Sequence, residues 1–203
     1  MQYEALETGL YHEVRGSASW TLSESDWKRL RLVAKHVVGS VLDVGSGKGE
    51  FLSLCDDRYE RGGVEVNAAR VQQTKDAVPK VRTLLADIEH GLGDIAAGTW
   101  DTVTCLEVLE HLVAPASVLA DLCRIARKEV IVTVPYREVI QMCLCFHCAK
   151  WTPRTHHLHS FDEDVLTEMV PWEWQITRFQ LIRERGWRSR VLWIMAVLEK
   201  RKL

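Results

Sequence analysis

SVLDVGSGKGE, residues 40–50, sets an apolar run against three closely spaced glycines. Residues 40–47 read as a buried strand entering a turn, where Gly45, Gly47 and Gly49 let the backbone bend tightly and approach a ligand with no Cβ in the way. GEFLSLCDD, residues 49–57, resumes helical spacing. Strand, glycine turn and helix in that order are how open α/β sheets bind nucleotides at the carboxyl ends of their strands. Asp43 stands just before the turn, and Glu65 lies 20 residues beyond Gly45. A carboxylate at that separation can accept hydrogen bonds from both hydroxyls of a ribose. A phosphate-cradling P-loop is excluded, because Lys48 is followed by Gly49 and not by Ser or Thr. A nicotinamide or flavin site fits poorly, because the loop ends at Gly49 without the longer Gly-x-x-Gly spacing.

Outward from this turn, helix-type and strand-type segments alternate, as expected of an α/β fold with a mostly parallel sheet. Helices are predicted over 25–38, 67–77, 115–126 and 161–170, and further strands over 62–66, 81–87, 100–107 and 129–135. The end of the chain reads as two long strands around a turn at 184–186, and a tight turn joins antiparallel neighbours. The expected architecture is a Rossmann-like seven-stranded, mostly parallel sheet with a C-terminal antiparallel hairpin and helices on both faces. It forms one domain over 1–203, with residues 1–38 as an N-terminal cap and helix and 136–160 as a Cys/His-rich lid.

The chain has 203 residues, 47% hydrophobic and 27% charged, with a formal net charge of −2. Such a chain buries a real core and carries no dominant basic field for nucleic acid or anionic lipid. Its longest uninterrupted apolar run, Val191 to Leu198, is eight residues, too short for a transmembrane helix. The polar first residues do not read as a secretory signal, so the cytoplasm is the expected compartment. Oligomeric state leaves no trace in the sequence.

Four segments resemble the motifs of class I S-adenosylmethionine-dependent methyltransferases, the superfamily of ubiquinone-biosynthesis-type small-molecule enzymes. VLDVGSGKGEFL is similar to their first motif, GVEVN to the second-strand acid, LADIEH to the adenine-contacting segment, and WDTVTCLEVLEHL to the fourth-strand motif. The resemblance covers roughly residues 28–200. It implies that Gly45, Ser46, Gly47 and Gly49 surround the amino-acid part of S-adenosylmethionine. Asp43 would orient that loop or bind the ammonium, Glu65 with Val66 would meet the ribose, and Asp87 with Ile88 the adenine. Leu106 and Glu107 would line the floor beneath the sulfonium. The implied activity is transfer of a methyl group to oxygen or nitrogen of a small-molecule acceptor. A non-catalytic cofactor-binding partner or regulatory protein is the reading from another class.

If Glu107, Glu110 and His111 lie on a helix, they share a face. The run also resembles the metal-binding stretch of small-RNA 3′-terminal 2′-O-methyltransferases, which implies metal-dependent RNA ribose methylation as a rival reading. The basic tail, 183–203, would suit RNA phosphates. Cys145 and Cys148 form a Cys-x-x-Cys pair, with His156 and His159 at His-x-x-His spacing beyond it. Two thiolates and two imidazoles would make a tetrahedral zinc site stiffening the lid. An apolar lid without metal and a redox pair are the alternatives, with Cys143 and His147 nearby. His111, His156, His157 and His159 are candidate general bases, because an unperturbed imidazole titrates near pH ~6.5. Tyr11 and His12 are candidates for a cap over the substrate. Trp151, Trp172 and Trp174 would wall a pocket, or Trp172, Trp174, Trp187 and Trp193 would pack the terminal hairpin. Cys55, Cys105 and Cys123 sit inside apolar stretches and read as small buried hydrophobes.

Overall fold

A computed structural model of the chain describes residues 21–146, 148–184 and 190–202. Tyr11, His12, His147, Trp187 and most of the expected 184–186 turn lie outside the described residues. The chain divides into two units, one ending at Ile88 and the other beginning at Glu89.

The first unit opens with helix α1, Glu24–Ala34, whose start is fixed by a reciprocal cap: the Asp26 N–H donates to Ser23 Oγ and the Ser23 N–H to Asp26 Oδ2. Strand β1, Val41–Val44, is buried at every position, so its apolar residues run together instead of alternating. It pairs in parallel with β2, Arg61–Glu65, which pairs in parallel with β3, Arg82–Leu85. Helix α2, Ala68–Ala77, connects β2 to β3 and starts at Asn67, whose side chain accepts from the Arg70 N–H at 3.1 Å. Asn67→Ala removes that acceptor and should cost about 1 kcal/mol. For a chain of this size, thermal unfolding monitored by circular dichroism should then begin about 2–4 °C lower.

The predicted helix over 49–57 is not continuous; a single 3₁₀ turn covers Leu52–Leu54. Gly49 at φ +84 opens this segment and Cys55 is extended, so one turn is all the backbone allows. That turn already buries Phe51, Leu52 and Cys55, the residues whose spacing suggested a longer helix.

In the second unit, β4 (Trp100–Leu106) runs parallel to β5 (Ala126–Pro135). Helix α3, Pro115–Ile125, carries proline in its first turn, where the missing N–H breaks no bond. Strands β6 (Met142–Leu144) and β7 (Trp151–Pro153) form a separate antiparallel pair within the segment read as a lid. Helix α4, Glu163–Glu168, is capped by Asp162. Strands β8 (Trp174–Arg183) and β9 (Val191–Lys200) are antiparallel to each other, and β9 is antiparallel to β5. The Glu184 N–H donates to the Arg190 carbonyl at 2.9 Å, closing the β8–β9 end.

The main sheet therefore has seven strands, mostly parallel, with antiparallel strands at the C-terminal end, as expected. Within the first unit the spatial order is β3-β2-β1, and within the second it is β4-β5-β9-β8. The core of the second unit lies on β5 and β9, where Val130, Ile131, Val132, Ile194, Met195 and Ala196 are sealed from solvent. No helix among the described residues is long and apolar enough to cross a membrane.

Candidate functional site

The turn after β1 is held from both sides within its own unit. The Gly45 and Ser46 N–H groups donate to the Val64 carbonyl at 2.8 and 3.0 Å, and Thr74 Oγ1 donates to the Gly47 carbonyl at 3.1 Å. Gly45, Gly47 and Gly49 all have positive φ (85, 56 and 84), the left-handed region that side chains disfavour. A Cβ on Gly49 would come within 3.1 Å of both Thr74 Cγ2 and Val78 Cγ2. The glycine at that position thus serves close packing as well as the turn.

Glu65 ends β2 buried, and its carboxylate is fixed by backbone donors. Oε2 accepts from the Gly47 N–H at 3.0 Å, and Oε1 accepts from the Val66 and Asn67 N–H groups at 3.0 Å each. A carboxylate so held keeps one orientation without borrowing rigidity from a ligand. Asp43 is buried in β1, and Ser46 is buried in the turn. The Ala86 N–H donates to the Glu65 carbonyl at 3.1 Å, which leads half-buried Asp87 and buried Ile88 away from the end of β2. The structure thus gathers the first unit's share of the expected cofactor residues at the carboxyl ends of β1, β2 and β3. Such an arrangement can hold a ribose through its hydroxyls and a polar amino-acid group through turn N–H groups.

In the second unit, Leu106 closes β4 half-buried and Glu107 follows at φ +59, a strained position for a residue other than glycine. Thr133 supports it twice: the Glu107 N–H donates to the Thr133 carbonyl at 2.9 Å, and Thr133 Oγ1 donates to Glu107 Oε1 at 3.1 Å. The helical reading of Glu107 to His111 is corrected here. Only Leu109–His111 forms a 3₁₀ turn, and Glu107 stands outside it.

The returning segment 156–159 is laid against this turn. The Leu158 N–H donates to the Glu110 carbonyl at 2.7 Å, His111 Nδ1 lies 3.2 Å from the His156 carbonyl, and His159 Nε2 lies 2.8 Å from the Leu112 carbonyl. A ring nitrogen facing a carbonyl carries the proton, which assigns His159 as the Nε2–H tautomer. The rings of His111 and His157 meet edge to face with centroids 4.7 Å apart, and His157 Nδ1 is bonded to the Glu138 carboxylate.

Glu110, His111 and His157 each offer one ligand atom within 4.8 Å of the others, the one such group of three among the described residues. The expected clip of Cys145, Cys148, His156 and His159 is not assembled. His159 is committed to Leu112, His156 is exposed and bonds through its backbone carbonyl, and the two cysteines lie in the β6–β7 hairpin. Of the expected histidines, His111 meets His157, which stands outside the His-x-x-His pair, and Glu138 carried no sequence signal. Glu138 is 19 residues from His157, and no local pattern links them.

None of the six cysteines is in a disulfide. Burial pushes the Cys55 thiol up to about 12, with the nearby Asp43 charge adding to it, and burial likewise pushes Cys123 up to about 12, with Glu173 adding. Thiolate is the reacting form. Ellman's reagent should therefore modify thiols of the 143–148 segment in the native protein and reach Cys55 and Cys123 only after denaturation.

The family model for the methyltransferase domain matches residues 23–183. The ubiquinone biosynthesis O-methyltransferase of Acinetobacter baylyi is 31% identical over 101 residues, which cover 45% of this chain and 42% of that protein. Across the first three such relatives, the match spans between 38% and 59% of their length. Among solved structures, Burkholderia thailandensis 1,6-didemethyltoxoflavin-N1-methyltransferase, with its substrate and S-adenosylhomocysteine bound, superposes with a TM-score of 0.69 at 14% identity. That match covers 98% of this chain and 87% of the other. The [4+2]-cyclase SpnF superposes at 0.67 and 14% identity, covering 91% and 83%. Likeness at these identities shows the fold, and the cyclase illustrates that this fold does not dictate one reaction.

Proposed function

The chain belongs to the methyltransferase-domain family, and from that premise we propose that it transfers the methyl group of S-adenosylmethionine to oxygen or nitrogen of a small-molecule acceptor. The observation that supports this best is the Glu65 carboxylate, buried and fixed by three backbone N–H groups beside the Gly45–Gly49 turn. The ubiquinone-biosynthesis relatives favour oxygen as the acceptor atom.

S-adenosylmethionine brings a methyl group already activated on a sulfonium, so the protein's work is to bind, orient and exclude water. Glu65 is assigned to the ribose hydroxyls, accepting from them with the lone pairs its backbone donors leave available. The Gly45–Gly49 turn, with Ser46 and buried Asp43, is assigned to the amino-acid end, and Asp87 with Ile88 to the adenine. We assign Leu106 and Glu107 to the cofactor as well. Because Glu65 is preorganised, binding spends little on ordering it.

For the acceptor proton, His111 is our choice among the histidines. Its Nδ1 donating to the His156 carbonyl leaves Nε2 as the lone pair that takes a proton. His156 then acts through its backbone, and His159 fixes the segment by its bond to Leu112. Incubation with methyl-labelled S-adenosylmethionine and a panel of phenols, catechols and amines should give a labelled ether or amine. Binding of the cofactor with no labelled product would favour a non-catalytic role, and label entering RNA 3′ ends would favour the RNA reading.

A second reading rests on Glu110, His111 and His157. One carboxylate and two imidazoles suit a borderline divalent cation, and Glu138 on His157 Nδ1 is the kind of outer carboxylate that orients a ligating histidine. An ion held there would supply a Lewis acid toward an acceptor oxygen. Under this reading, EDTA abolishes methyl transfer and Mn²⁺, Co²⁺ or Zn²⁺ restores it, whereas EDTA-resistant transfer refutes it.

A further inference from the structure

Half of the cysteines fall within residues 143–148, and they differ from the others in every physical respect. Cys55, Cys105 and Cys123 are buried in the cores of their units, whereas Cys143 and Cys148 are exposed and Cys145 is half-exposed. They occupy a hairpin with almost no core of its own. Strands β6 and β7 are three residues each, and Met142, Leu144, Phe146 and Trp151 all face solvent. A lone two-stranded hairpin is marginal in water. Small elements without a core are commonly held by a disulfide or a metal.

The local backbone is arranged around the sulfur positions. Cys143 pairs with Thr152 in the β6–β7 ladder. Cys145 continues that line, since its N–H donates to the Lys150 carbonyl at 2.8 Å. Residues two apart on an extended strand share a face, so Cys143 and Cys145 project to the same side. The Ala149 N–H donates to the Cys145 carbonyl at 2.8 Å. Ala149 sits at φ +54, directly after Cys148. A left-handed non-glycine residue costs about 1–2 kcal/mol.

We propose that Cys143, Cys145 and Cys148 together bind one Zn²⁺ ion, clamping the β6–β7 hairpin. Three sulfurs in so short a stretch make a soft donor set, which favours Zn²⁺ over Mg²⁺ or Ca²⁺. Each thiol that ligates releases its proton to solvent, and three thiolates leave the fourth tetrahedral position to water. The three sulfurs do not all lie within 4.8 Å of one another. Ligation brings them together by rotating side chains about χ1. This donor set differs from the Cys/His combination the spacing suggested, which the structure does not bring together. It is independent of the methyl-transfer reading.

Titration of reduced, metal-free protein with Co²⁺ is the test. The expected result is saturation at about one equivalent, with near-ultraviolet thiolate charge transfer and the visible bands of a tetrahedral site. Added Zn²⁺ should erase both. Cys143→Ser, Cys145→Ser and Cys148→Ser should each lose charge-transfer intensity. His156→Ala and His159→Ala should keep the wild-type spectrum. Far-ultraviolet circular dichroism matching the wild type shows that a serine variant has lost a ligand and not its fold. Absence of a thiolate band in the wild type, or a band unchanged in the cysteine variants, overturns the proposal. A band lost in the histidine variants overturns this donor set.

Discussion

Glu65→Ala lowers affinity for S-adenosylmethionine by about 100-fold or more. A hydrogen bond to a charged group contributes about 1.5–3 kcal/mol, and this carboxylate is assigned two ribose hydroxyls. Two such bonds amount to at least about 3 kcal/mol, where each 1.4 kcal/mol is tenfold in affinity. The loss has a second source. Glu65 also accepts from the N–H groups of Gly47, Val66 and Asn67, so its removal loosens the turn that meets the amino-acid end. Glu65→Gln keeps one acceptor oxygen and should fall between the wild type and Glu65→Ala. Titration calorimetry on the three proteins, each checked for native circular dichroism, gives the ranking. Equal affinity in all three removes Glu65 from the site.

Gly49→Ala lowers stability by about 2–5 kcal/mol, the sum of a left-handed alanine and an overpacked contact. The added Cβ would lie 3.1 Å from Thr74 Cγ2 and Val78 Cγ2 and 3.3 Å from the Thr74 Cα, so relief requires backbone movement in α2. Thr74 also donates to the Gly47 carbonyl, so a shift of α2 carries the turn with it. Gly98→Ala is the matched control, with φ +62 and nothing within 4 Å of its added Cβ. It should show only the backbone part, about 1–2 kcal/mol. Differential scanning calorimetry should rank Gly49→Ala well below Gly98→Ala in Tm. Equal losses would mean that contact with α2 contributes nothing.

The parts of the fold that were readable from sequence are those where one residue type meets one physical demand. Gly45, Gly47 and Gly49 all adopt the positive φ that their clustering suggested. All four residues of β1 are buried, Asp43 among them, and the terminal strands are antiparallel. The misreadings share a different cause. Residues 49–57 and 107–111 have helical spacing, but each is a single 3₁₀ turn, because Gly49 and Glu107 at positive φ precede it and extended Cys55 and Leu112 end it. Spacing describes which residues share a face only after the backbone state is known.

The histidines show the same limit. His-x-x-His spacing pointed to His156 and His159, yet His157 is the one whose ring meets His111. The deciding contacts come from Glu138 and from the 109–112 turn. Those partners are brought by tertiary structure, and nothing in the order of residues announces them. The cysteines were legible as a cluster, but the sequence did not show that His159 lies against the Leu112 carbonyl, 47 residues away.

Calorimetric titration of the wild-type chain with S-adenosylhomocysteine tests the central claim most directly. The demethylated ligand retains the adenine, ribose and amino-acid groups assigned to the first unit, and no turnover complicates the heat. Saturable binding at about one ligand per chain, with a Kd between about 1 μM and 1 mM, is the predicted result. No detectable heat at millimolar ligand would contradict the assignment of the Gly45–Gly49 turn and Glu65 to this cofactor.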